Sequence, residues 1–305
     1  MEGICQTCHS GITDTYADSI HFTVQGMQKA LVNFSHSGDL AEEPGLKKAF
    51  DDNCYKCHAT CGSCHVSRPK AYSGGLHSQH TFTKQPPMDD SCYGCHGARN
   101  AGEYMGKVGY ATDIHYTNEM HCVDCHSVSN FHGSGVQEQN MYEVDLPECI
   151  DCHDKVYTDT NVEAHQAHSP DTMSCQVCHA SANNNCYDCH ATPNSDGSVS
   201  GTSDSRIMFK IGINPNRTED RPYQYITLRH IPTTADTFEP LDGEIPNYDL
   251  YPNWKYSPTH NIQRNTIQNE SCDSCHGNQY IFLREEDLRD NDSKANQQLV
   301  VPKIP

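Results

Sequence analysis

The chain has 305 residues, a net charge of −19 and only 35 % hydrophobic residues. That charge excludes the basic footprint nucleic acid needs and opposes docking on an anionic membrane surface. The low apolar content, with a mean hydropathy of −0.74, is poor material for a conventional core of this size and would suit a disordered chain unless something else fills the interior.

The pentapeptide C-x-x-C-H opens almost at once, at Cys5, Cys8 and His9. Residues 10 to 53 follow without cysteine and contain one amphipathic pattern, Val24, Met27, Leu31 and Phe34, which predicts a helix that packs on one face. The stretch CYKCHATCGSCH then holds two copies of the pentapeptide, Cys54, Cys57, His58 and Cys61, Cys64, His65. Five more copies follow: Cys92, Cys95, His96; Cys122, Cys125, His126; Cys149, Cys152, His153; Cys175, Cys178, His179; and Cys186, Cys189, His190. Residues 191 to 271 have no cysteine. They run from a turn-rich TPNSDGSVSGTSDS, read as a surface loop, through RIMFKIGI, a short strand, to a Tyr/Pro-rich run whose prolines forbid long regular structure. The last copy is Cys272, Cys275, His276.

Nine copies use all 18 cysteines. A disulfide scaffold does not need a histidine after every second cysteine. Zinc sites combine Cys-x-x-Cys pairs and tolerate many residues at the next position. The invariant histidine makes the string the attachment signature of c-type haem, so nine covalent haem c groups are expected. In a helical turn, residues three and four apart share a face. Two thiols can then reach two vinyl groups on one porphyrin edge, and the following imidazole can swing under the iron. Nine flat apolar macrocycles would supply the missing core, and folding would depend on them as small metal domains depend on zinc.

Outside the motifs stand His21, His36, His77, His80, His115, His121, His132, His165, His168, His230 and His260. His121 abuts Cys122 and is set aside. The other ten are expected to furnish nine second axial ligands, which gives bis-histidine irons that move electrons without binding substrate.

The fold expected is mostly coil with short α-helices and few strands, packed on haem, with no conventional hydrophobic core. One domain, 1–305, divides into a dense haem centre at 54–190, a loop-rich cysteine-free segment at 191–271 and a C-terminal haem segment at 272–305. No apolar run approaches the length of a membrane span. Covalent haem attachment takes place outside the cytoplasm, so an extracellular or cell-surface location is expected, or the periplasm, with an export signal removed.

The phrases DIHYTNEMHCVDCH, HQAHSPDTMSCQVCH and SPTHNIQRNTIQNESCDSCHGN resemble the large multihaem c-type cytochromes of anaerobic bacteria and archaea, over most of residues 54 to 190 and 256 to 278. The resemblance implies an extracellular electron conduit that is not an enzyme and that polymerises into a cytochrome nanowire of stacked bis-histidine haems. Copies of the chain, other redox proteins and extracellular acceptors would be its partners. The more distant octahaem reductases imply the alternative of one open iron reducing nitrogen or sulfur oxyanions, and a periplasmic shuttle is a third possibility. This sequence has no C-x-x-C-K variant, which sets it apart from the reductases.

Overall fold

A computed structural model describes residues 2–305 apart from 71–73, 79–80, 98, 108–110, 159–160, 182, 185–191, 194, 196–198, 201–205 and 208. His80, Cys186, Cys189 and His190 therefore lie outside the described residues. So does most of the predicted 192–205 loop, of which a two-residue antiparallel pairing, Thr192–Pro193 with Val199–Ser200, is described.

The N-terminal half is a succession of short helices. Glu2–Tyr16 is kinked at His9, where the backbone leaves helical angles. Ser19 caps the turn Ile20–Thr23 by accepting from the Phe22 amide. Val24 then takes a left-handed conformation, with φ of 49°, and breaks the chain before Gln25–Val32. The predicted helix is therefore shorter than its apolar pattern. Val24 and Leu31 are buried and Phe34 packs beside them, but Met27 faces outward.

Pro44 starts the next helix, Pro44–Asp52, at a position where a missing amide costs nothing. Its Lys47–Asp51 and Lys48–Asp52 pairs lie on the outer face. Leu46, Ala49 and Phe50 face inward and join Val24, Leu31, Phe238, Ile245 and Tyr248 in one apolar cluster. The two cysteine-free segments thus pack against each other, although seven of the nine motifs lie between them in sequence.

A second body of apolar packing surrounds an antiparallel sheet in the order Lys210–Ile213, Tyr225–His230, Trp254–Tyr256. Ile211 stands opposite Thr227, and His230 opposite Trp254. Successive side chains alternate between the faces, and both faces are covered. Ile226, Leu228 and Trp254 meet Leu283 and Leu299, while Ile211 meets Phe282, Val301 and Val177. The C-terminal segment is tied on by the Leu283 amide to the Ile211 carbonyl at 2.8 Å and by Val301 to Leu283 at 2.9 Å. Val177 belongs to the helical turn Cys175–His179, so one motif is anchored directly in this core.

The expectation of a coil-dominated fold without a hydrophobic core is corrected by these findings. Helices and helical turns make up most of the regular structure, and three clusters of buried apolar side chains are present. Composition averaged over the chain hid them, because the apolar residues concentrate in 24–50 and 209–304 and leave the motif-rich centre poor.

Gly45 tests the packing of the first cluster. A Cβ there would stand 2.7 Å from the Gly243 amide nitrogen and 2.8 Å from its Cα. Alanine is favoured over glycine in a helix by roughly 0.5–1 kcal/mol, but overpacking costs about 1–3 kcal/mol. Gly45→Ala is expected to lower the denaturation midpoint, and a higher midpoint would show that the two segments do not meet as described.

Candidate functional site: paired imidazoles

Among the described residues, the first C-x-x-C-H string lies within the helix Glu2–Tyr16 and the others form short helical turns. Cys61–His65, Cys175–His179 and Cys122–Cys125 are α-helical; Cys54–Cys57, Cys149–Asp151 and Cys272–Ser274 are 3-10 turns. Tyr93–His96 follows a wider turn at Met88–Cys92. Small side chains start several of them. Thr60 and Ser63 cap the Cys61 turn reciprocally, and Ser127 with Asn130 does the same for the segment carrying His132. His121 stands at the N-cap of the Cys122 turn.

Six motif histidines each face one histidine from elsewhere in the chain. Ring centres are 6.3 Å apart for His96 with His21, 6.1 Å for His65 with His132, and 6.3 Å for His126 with His260. The others are His153 with His115 at 6.1 Å, His179 with His165 at 6.0 Å, and His276 with His168 at 6.0 Å. Every pair takes one member from a motif and one from outside the motifs.

The spacing is informative. Two imidazoles joined by a hydrogen bond of about 2.9 Å would hold their ring centres roughly 5 Å apart. With metal–nitrogen bonds of roughly 2 Å, and about 1.1 Å from ring nitrogen to ring centre, two imidazoles facing across one metal atom sit about 6.2 Å apart. All six observed spacings fall at the second value.

The other ring nitrogen is tied down in five of the six pairs. His65 Nδ1 meets the Thr83 carbonyl at 2.7 Å, His179 Nδ1 that of Gln263 at 3.1 Å, and His260 Nδ1 that of Pro258 at 2.7 Å. His168 Nδ1 meets the Ala164 carbonyl at 2.8 Å, and His115 Nδ1 the Asp113 carboxylate at 2.9 Å. A carbonyl can only accept, so Nδ1 carries the proton and Nε2 keeps its lone pair, as in metal-ligating histidines. Burial also holds several rings neutral: it pushes His96 down to about 3, and His21 and His260 down to about 4. Asp113 acts the other way on His115, raising its pKa.

Thiols of different motifs adjoin. Cys57 lies beside Cys95, Cys92 beside Cys122, and Cys149 beside Cys175, close enough to perturb one another's ionisation. The Cys95 thiol lowers the pKa of Cys57.

Three of the expected ligands stand apart from the six pairs. His36 is exposed and lies 3.3 Å from Glu244. His77 is buried, but its Nε2 meets the Cys64 carbonyl at 2.8 Å, a packing role. His230 is buried beside Trp254 with Nε2 3.0 Å from Asp292. No other described imidazole stands at the paired distance from His9 or His58; His58 instead stacks on Tyr55 at 5.0 Å. The acceptors that orient the pairs were missed from sequence. Asp113 is the one that carried a signal, two residues before His115; the others are main-chain carbonyls, which no side chain announces.

No family model matches the chain, and neither does any curated protein or solved structure. The resemblance to filament-forming cytochromes is therefore corrected: the chain is not placed in that group. The electron conduit, the filament and the reductase alternative, which rested on that likeness, fall with it. The nine covalent haem c groups, all bis-histidine, are corrected as well. Among the described residues no group of three or more His, Cys, Asp or Glu side chains is gathered to hold a metal ion, and the imidazole pairs number six. What the side chains form is a set of two-donor sites. A metal between two imidazoles there would take its remaining ligands from a group the chain does not provide.

Buried polar atoms without partners test that fit. Tyr16 Oη, His21 Nδ1, His132 Nδ1, Ser174 Oγ and Thr259 Oγ1 are all buried and unbonded. Each belongs to a paired histidine, to the residue just before Cys175 or His260, or to a ring packed on His132. Such atoms are rare in a finished interior. Others of the same kind, His77 Nδ1, His230 Nδ1 and Trp254 Nε1, lie away from the pairs, so these atoms agree with a further group at the pairs without singling it out.

Asp113 gives a test that depends on the protein alone. Its carboxylate accepts from the His115 amide at 2.7 Å and from the Ile262 amide at 2.6 Å, and its side chain is almost wholly buried. Each buried donor left unpaired costs about 1–3 kcal/mol. Asp113→Ala should lower stability by about 2–5 kcal/mol in chemical denaturation; an unchanged midpoint would mean the 113–115 and 262 segments are not joined this way.

Proposed function

We propose that the chain carries metal tetrapyrroles, each held between one C-x-x-C-H histidine and one histidine from a distant segment. The observation that carries this reading is the common 6.0–6.3 Å spacing of six imidazole pairs, each of mixed origin. A planar tetradentate group explains why two protein donors suffice at each site. When bound, the group would supply one-electron chemistry.

The residues then have distinct tasks. His65, His96, His126, His153, His179 and His276 hold the metal from the motif side. His132, His21, His260, His115, His165 and His168 close the opposite side. The carbonyls of Thr83, Gln263, Pro258 and Ala164 and the carboxylate of Asp113 keep Nε2 directed at the metal. On this reading no catalytic residue is assigned, the protein works outside the cytoplasm and its partners are other redox proteins. No helix of the described residues is long and apolar enough to cross a membrane.

The test uses the chain purified from a host that attaches tetrapyrroles to exported proteins. Electron paramagnetic resonance of the oxidised protein should show low-spin metal. His132→Ala and His260→Ala should each convert one centre to high spin, and His36→Ala should leave the spectrum unchanged. A purified protein without tetrapyrrole absorption, or His132→Ala and His260→Ala spectra identical to the parent, would overturn the proposal.

A further inference from the structure

Tyr16 ends the first helix and is 8 % exposed. Its hydroxyl oxygen is buried and has no hydrogen-bond partner. The ring packs edge-on against Phe22 at 5.6 Å and against His132 at 6.0 Å. His132 is the non-motif member of the pair with His65. The chain is also pressed close here. Gly133, at φ of 76°, lies where a Cβ would come within 2.7 Å of the Thr15 carbonyl and 3.0 Å of Ser19. The end of the first helix is therefore held firmly against the segment carrying His132, and Tyr16 cannot easily swing out to water.

A buried hydroxyl without a partner costs about 1–3 kcal/mol. Phenylalanine would fill the same apolar position between Phe22 and His132 without that cost, so packing alone does not call for the hydroxyl. The thiols of Cys64 and Cys61, in the motif of His65, and of Cys95 in the next motif act electrostatically on the phenol. A phenol keeps its proton throughout the neutral range, so the hydroxyl is available as a donor.

We infer that Tyr16 is a positioning residue of the His65–His132 site, its hydroxyl donating a hydrogen bond to the rim of the tetrapyrrole held there. This rests on the proposed function, and goes beyond it by assigning a non-ligand, non-motif side chain to one particular centre. A donor at the rim withdraws electron density from the group and favours its reduced state, so Tyr16 tunes that one centre upward in potential.

The experiment is a spectroelectrochemical titration of the tetrapyrrole-loaded protein and its Tyr16→Phe variant. One midpoint potential should move down, and one low-spin resonance should shift, with the tetrapyrrole content and the other centres unchanged. Tyr280→Phe, at an exposed tyrosine, should match the parent. Superimposable titrations and resonances for Tyr16→Phe would overturn the inference and leave the proposed function standing, even if thermal stability changed. A parent protein that binds no tetrapyrrole would instead overturn both. If Tyr16→Phe fails to fold, Tyr16→Trp, which keeps a donor on a buried ring, is titrated in its place. A potential at that centre unchanged from the parent supports the inference; one lowered as if the donor were lost contradicts it.

Discussion

Two imidazoles held 6 Å apart do not touch, and the middle of this molecule is organised around six such separations. By themselves they contribute no attraction. Joined through a metal, each becomes a strong link between segments that are far apart in sequence: His21 with His96, His126 with His260, His168 with His276. Closing a long loop costs entropy that grows only slowly with its length. A few coordinate links can therefore organise a long polar region that lacks apolar side chains. On the proposed reading, metal binding and folding would be one event, as in small zinc domains. The apolar clusters at 24–50 with 238–248, and around the sheet, are the part of the chain that packs by ordinary burial. They frame the motif-rich centre and anchor it at Val177.

The links cross one another. His165 and His168 leave the same helical turn, Glu163–Ala167 and its cap, but face different partners, His179 and His276. His132 follows one motif in sequence and serves an earlier one, at His65. His260 comes from the loop beyond the sheet and reaches back to His126. This interleaving explains why the thiols of separate motifs adjoin, and why the centres are held by the tertiary fold and not by successive independent modules.

Much of the site was legible in sequence. The motif spacing gives the helical turn, the two thiols and the motif imidazole together, because it rests on the local geometry of one turn. Six of the ten non-motif candidates stand in pairs. His36, His77 and His230 could not be sorted from them, since what separates a ligand from a packed or solvated imidazole is a partner supplied from elsewhere: Glu244, the Cys64 carbonyl, Asp292. The core was illegible because a whole-chain average cannot show that Leu46, Phe50, Leu228 and Phe282 are gathered into two remote stretches. The left-handed break at Val24, where a β-branched residue is least expected, shortened a helix that periodicity alone had extended.

The account turns on whether a metal lies between the paired rings. Crystals of the purified, tetrapyrrole-loaded protein, measured at the absorption edge of the bound metal, would locate it directly. The account predicts an anomalous peak midway between the two rings of each pair, including His65 with His132 and His126 with His260. Paired rings with no peak between them, or metal bound only at His36, His77 or His230, would contradict it.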